Sequence, residues 1–192
     1  MTEKDIINKE VHNAFEAIKA GGIILYPTDT VWGIGCDATN PDAVKKIYDL
    51  KMRAESKSMI VLVNSDRLLY QIFNEIPETA FQIMDLTEKP TTFVLDKPRN
   101  VSPNLIAPDN TLGVRMVTEP FCYKLMERMK KPLVSTSANI SGQPTPSSFK
   151  EIDHHILDGV DYIVNLHHDK IAAKPSAIIK LGNDMTVKVI RP

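Results

Sequence analysis

With 192 residues, 43% of them hydrophobic and 24% charged, the chain is long enough for one domain with a sizeable core, which excludes disordered and fibrous classes. A formal net charge of -1 excludes a globally basic nucleic-acid binder, although a basic patch on one face does not show in that sum. No apolar run approaches the roughly 20 residues that span a bilayer, and Glu3, Lys4 and Asp5 stand where a signal peptide carries its apolar segment, so a soluble cytoplasmic protein is expected.

Ile7, Val11, Phe15 and Ile18 recur at helical spacing and Gly21-Gly22 stops the pattern, which predicts an amphipathic helix over residues 5–20. A strand over Ile23 to Tyr26 follows, then a turn through Pro27-Thr28-Asp29-Thr30-Val31-Trp32-Gly33-Ile34-Gly35. Asn40 followed by Pro41 is a helix start, with Val44, Ile47 and Tyr48 as the buried face and an end near Lys51. Met59 to Val63 is a continuous apolar run suited to a central strand. Helices after Ser65 and from Pro77 precede strands at Thr91 to Leu95 and Leu112 to Met116, separated by an irregular connection over Val101 to Asn110. A helix through Cys122, Leu125, Met126 and Met129 feeds a strand from Leu133 to Thr136. The remainder predicts a short helix from Phe149 to Leu157 and strands near Tyr162, Ile178 and Val187. Early alternation of helices and strands, with strands clustering later, favours a mixed parallel and antiparallel sheet flanked by helices.

Four stretches carry candidate chemistry. Ser135-Thr136-Ser137-Ala138-Asn139-Ile140-Ser141-Gly142 crowds hydroxyls and an amide at the mouth of a buried strand, where they suit phosphate or carboxylate; the same run also reads as a turn that satisfies its own backbone. The turn from Pro27 to Gly35 adds two hydroxyls, the Asp29 carboxylate and two glycines, but matches neither the Walker A pattern nor the dinucleotide fingerprint. Lys51-Met52-Arg53 closes the second helix, where the helix dipole already favours cations, and Lys57 follows closely enough for an anion-binding cluster. Thr111 and Arg115 are four residues apart on a strand and share a face. An arginine there needs a partner, either a structural one such as Glu119 or a ligand carboxylate.

Other features carry less. Cys36 and Cys122 lack the pairing pattern of a zinc site and read as small buried residues. His154-His155 and His167-His168 are neighbours in sequence with no well-spaced carboxylate, so no protein metal site is assigned. The absence of a nucleophile elbow argues against a covalent intermediate.

Taken in order, PTDTVWGIG, KMR, LGVRM and STSANISG resemble the YrdC-like family of threonylcarbamoyl-AMP synthases, in its short form, over Gly22 to Arg191. The resemblance implies one domain over residues 1–192, without the C-terminal domain of longer members. It also implies a twisted α/β sheet, mixed parallel and antiparallel, around a large concave basic cavity. The implied activity joins L-threonine, bicarbonate or carbon dioxide, and ATP into L-threonylcarbamoyl-AMP and pyrophosphate for modification of tRNA. Thr30, Thr111, Arg115, Ser135 and Ser176 would hold threonine or its carbamate. Arg53, Lys57, Ser137, Asn139, Thr145 and Arg191 would line the nucleotide side with Lys51, and Lys51, Arg53, Ser137 and Asn139 would be the catalytic set. Mg2+ would accompany ATP, threonylcarbamoyl-transferase proteins would act downstream, direct contact with tRNA or double-stranded RNA is a further implied partner, and no membrane is involved.

The chain departs from the family pattern at Glu88-Lys89-Pro90-Thr91-Thr92, usually Pro-Gly-Pro-Leu-Thr, and at Pro175-Ser176-Ala177, usually Glu-Ser-Thr. Leu62 stands at a family histidine position, and Lys174-Pro175 is closer to the YciO-type branch. Two other readings stay open: a non-catalytic RNA-binding module on the same basic cavity, and an ATP-dependent synthase acting on another amino acid.

Overall fold

The computed structural model describes residues 2–54 and 59–192. In chain order the elements are α1 (Glu3–Lys19), β1 (Ile24–Tyr26), β2 (Gly33–Gly35), α2 (Pro41–Leu50), β3 (Ile60–Val63), α3 (Asp66–Ile72), α4 (Glu78–Leu86), β4 (Thr91–Asp96) and β5 (Thr111–Met116). Then come α5 (Pro120–Met129), β6 (Leu133–Ser137), α6 (His154–Gly159), β7 (Tyr162–Ile163), β8 (Ala177–Leu181) and β9 (Val187–Arg191), with 3-10 turns at Pro103–Leu105 and Phe149–Glu151.

Local chemistry sets the helix starts. Thr2 and Asp5 form a reciprocal capping box on α1, the Thr2 hydroxyl accepting from Asp5 N at 3.2 Å and the Asp5 carboxylate accepting from Thr2 N at 2.9 Å. Asn40 Oδ1 accepts from the backbone N–H groups of Asp42 and Ala43, and Pro41 occupies the first turn, as the sequence predicts. Glu119 caps α5 by accepting from Cys122 N at 2.8 Å. The apolar stripe Ile7, Val11, Ala14 and Ile18 of α1 is buried, and α1 packs against α5 and β7. Cys36 and Cys122 are free and buried, and burial pushes both thiols up.

Among the described residues, nine strands form one sheet in the order β7-β1-β2-β6-β3-β5-β4-β8-β9. The pairs β1–β7, β3–β5 and β4–β8 are parallel and the rest antiparallel, so the mixed sheet read from the sequence is the fold. Register then sorts the side chains, because residues alternate faces along a strand. Gly33 faces Ser137, Ile60 faces Ser135, Leu62 faces Arg115, Asp96 faces Thr111 and Thr92 faces Ile178. One face of the central strands is therefore rich in hydroxyls, glycines and charge. The other carries Val61, Val63, Phe93, Leu95, Leu112, Val114 and Val134, all buried in the core.

Two elements differ from the sequence reading. Gly33-Ile34-Gly35 is a strand rather than part of a turn, pairing with both β1 and β6. Its glycines are needed for close packing: a Cβ on Gly35 would lie 2.3 Å from the Val134 carbonyl and 2.7 Å from the Tyr26 ring. The helix expected from Phe149 to Leu157 is split into a 3-10 turn and α6, because Asp153 starts α6 anew by accepting from His155 N at 2.8 Å.

Candidate functional site

Two polar clusters lie on the hydroxyl-rich face. The first is built on β5 and the turn between β1 and β2. Arg115 is 3% exposed; its NH1 donates to Thr30 Oγ1 at 3.1 Å and its NH2 to Asp29 Oδ1 at 2.9 Å. Among the described residues its Nε has no hydrogen-bond partner. The turn is self-braced, since Thr28 Oγ1 accepts from Thr30 N at 3.0 Å and Val31 N at 3.2 Å. Ala173 N donates to the Thr30 carbonyl at 2.8 Å, and Ala172 N to that of Ser147 at 2.7 Å, so residues 170–173 cross over the turn. Buried Ser135 stands across the sheet from Arg115, with its hydroxyl 3.4 Å from where a Gly33 Cβ would be.

Thr111 shares the Arg115 face, as alternation predicts, and its hydroxyl donates to Asp109 Oδ1 at 2.7 Å, while Lys180 pairs with the other oxygen at 2.7 Å. Buried Ser176 is 2.8 Å from Thr92 Oγ1, and Arg191 Nε donates to the Ser176 carbonyl at 2.8 Å. The structure thus brings Arg191, expected on the nucleotide side, to Ser176, expected on the threonine side.

The second cluster joins the end of α2 to the loop after β6. Lys51 is 1% exposed, and its Nζ donates to the carbonyls of Ser137 and Asn139, the latter at 2.5 Å. Ser141 N returns a bond to the Lys51 carbonyl at 2.8 Å. Burial, then the neighbouring Arg53 charge, lowers the Lys51 ammonium to about 7. Half-burial also pulls Arg53 below its ordinary value, and Arg53 N donates to the Tyr48 carbonyl at 2.9 Å. Asn139 Nδ2 donates to the carbonyls of Ile140 and Gln143 at 3.0 and 2.8 Å, whereas its buried Oδ1 has no partner among the described residues. Exposed Thr145 and Asn139 line the same cavity, of about 420 Å3. Lys57 lies outside the described residues.

The expectations drawn for Arg115 and Lys51 change in detail. The structural partner of Arg115 is Asp29, because Glu119 is engaged in capping α5. Lys51 directs its ammonium at backbone carbonyls and so organises the SANISG loop. The sequence marks Asp29 only as the carboxylate of the turn and gives Thr92 no role; an arginine in an apolar strand signals that some carboxylate is required, but not which one.

An open mixed α/β sheet whose one face gathers buried hydroxyls, a guanidinium and an amide defines a protein built to bind small anionic or zwitterionic ligands. The family model described as Sua5_yciO_yrdC, Telomere recombination, matches residues 16–192, and the chain belongs to this family. A threonylcarbamoyl-AMP synthase of Acinetobacter baumannii is 33% identical over 196 residues, covering 97% of this chain and all of the relative. The crystal structure of P. abyssi Sua5 complexed with L-threonine superposes with a TM-score of 0.80 at 28% identity, over 95% of this chain and 53% of that one. E. coli YciO superposes at a TM-score of 0.82 and 27% identity, over 95% of this chain and 88% of that one. The chain therefore spans about half the length of Sua5 and most of YciO. Among the described residues no helix is long and apolar enough to cross a membrane.

Proposed function

We propose that the chain is an L-threonylcarbamoyladenylate synthase, a nucleotidyltransferase that uses ATP and serves tRNA modification in the cytoplasm. The observation that carries this reading is the buried Arg115 guanidinium, bonded to the Thr30 hydroxyl and with its Nε unpartnered among the described residues. Such a group suits an amino-acid carboxylate. The relative's name and the L-threonine complex of Sua5 support threonine as that amino acid.

In this reading the amine of threonine adds to carbon dioxide and loses a proton, giving a carbamate. A carbamate oxygen then bonds to the α-phosphorus of ATP, the bond to the bridging oxygen breaks, and pyrophosphate leaves. Thr30, Thr111, Arg115, Ser135 and Ser176 hold the amino-acid part. Ser137, Asn139 and Thr145 face the nucleotide, with Arg53 and Lys57 as its cations, and Arg191 stands beside Ser176. Lys51 acts through the loop it holds. Positioning and charge stabilisation suffice, without a covalent protein intermediate.

Mg2+ fits as a companion of ATP. The unpartnered Asn139 Oδ1 and the Ser137 hydroxyl are oxygen donors of the type it takes and would hold it beside the phosphates. Such a cation would supply charge neutralisation for the phosphates that these residues face.

The test is incubation of the protein with ATP, bicarbonate and each amino acid in turn, measuring pyrophosphate and the acyl-adenylate. Pyrophosphate release that requires both threonine and bicarbonate is expected. Release without threonine, or none with it, overturns the reading.

A further inference from the structure

A buried guanidinium presents five N–H donors in one plane, so its use depends on which of them the protein itself occupies. In Arg115 two anchors are visible, Asp29 on NH2 and Thr30 on NH1. Their own supports are uneven in kind. Thr28 Oγ1 donates to the Val31 carbonyl at 2.7 Å and lies 3.0 Å from Thr30 Oγ1, and the guanidinium can only donate to the Thr30 hydroxyl. Thr30 Oγ1 is thereby left as an acceptor for Arg115, a neutral and weak anchor. Asp29 supplies the charge, and its side chain is 27% exposed against 4% for Arg115.

We propose that Asp29 is a positioning residue for amino-acid binding: its carboxylate fixes the Arg115 guanidinium so that the remaining donors receive the carboxylate of the bound amino acid. This rests on the synthase reading of the site. The opposite role is also physically defined, since a carboxylate on Arg115 could compete with the ligand for the same cation. Geometry decides for positioning. Asp29 takes one hydrogen of one terminal nitrogen, and Nε–H stays unclaimed among the described residues. Releasing Asp29 would leave a buried cation held by one neutral hydroxyl, free to turn away from the ligand.

The test compares wild type, Asp29→Ala and Asp29→Asn, the last keeping an acceptor for NH2 without the charge. Removing the carboxylate that pairs with a buried, hydrogen-bonded arginine should raise the threonine KM on the order of 30-fold in Asp29→Ala, with a smaller rise in Asp29→Asn. The ATP KM and kcat should stay within about threefold, as for loss of an interaction made equally in ground and transition states. An unchanged or lowered threonine KM, or an equal rise in both KM values, overturns the proposal. A second readout is independent of turnover: the Arg115 Nε–H resonance in protein carrying 15N-arginine, assigned with Arg115→Lys. A sharp wild-type resonance that broadens or disappears in Asp29→Ala is expected; an unaltered one overturns the proposal. If wild type fails to turn over threonine, the synthase reading falls and this resonance alone decides what Asp29 does.

Discussion

The two faces of β5 use one strand for opposite purposes. Leu112 and Val114 point into the core and are essentially inaccessible, while Thr111, Gly113 and Arg115 point to the face shared with Ser135, Ser137 and Thr92. Both sets are buried, yet only the second consists of groups that demand partners. The apolar face gains from exclusion of water and is indifferent to what its neighbours accept or donate. On the polar face every donor must be answered by another residue or by a ligand, and at Arg115 Nε and Asn139 Oδ1 no described residue answers. Burial therefore does not separate structure from function in this molecule, whereas hydrogen-bond accounting does.

Substitutions on the two faces should separate along that line. Leu112→Ala removes core volume and should cost about 2–5 kcal/mol of unfolding free energy, read by urea denaturation, with turnover per folded molecule preserved. If it abolishes turnover while leaving stability intact, the division of labour between the faces is wrong. Arg115→Ala should do the reverse. Pyrophosphate formation should fall on the order of 10²-fold or more, while far-UV circular dichroism shows a folded chain. Near-normal turnover would take Arg115 out of the site.

The smallest effect concerns Lys51, whose folded value of about 7 lies below the ordinary lysine value of 10.5. Between those limits the unfolded chain binds the proton and the folded one does not, so stability contributed at this position rises as pH increases from about 7 towards 10.5. Below about 7 both states are protonated and the full cost of burying the charge is present. Lys51→Met should flatten this part of the stability profile in urea titrations at pH 6.5 and 9. An unchanged slope would show that the carbonyls of Ser137 and Asn139 keep the ammonium charged in spite of its burial.

The helices were legible wherever a cap and a stripe coincided, as at Asn40-Pro41 followed by Val44, Ile47 and Tyr48. β2 was not, because Gly33-Ile34-Gly35 has a single side chain to show a period and is defined by partners on both sides. At the site, alternation alone put Thr111 and Arg115 on one face, and the spacing of four motifs gave the family. The Asp29–Arg115 pair joins residues 86 apart in sequence, a distance at which neither period nor composition carries a signal. The sequence reads Lys51 as a helix-end cation that the dipole favours or that joins an anion-binding cluster. The fold instead encloses it under the loop after β6, where backbone carbonyls outcompete water for its hydrogens.

Trp32 is the chain's single tryptophan, 3% exposed, with the Phe149 ring centred 5.0 Å away and the His168 ring 5.4 Å away, edge-on. It sits two residues beyond Thr30, beneath the segment that crosses the turn. One buried indole beside two aromatic rings should give the protein a single emission band, centred to the blue of an exposed tryptophan. Any event that shifts the turn or lets solvent under that segment should change the band's colour and intensity, so the protein carries its own optical gauge of the turn that holds Thr30, without a dye or an added label.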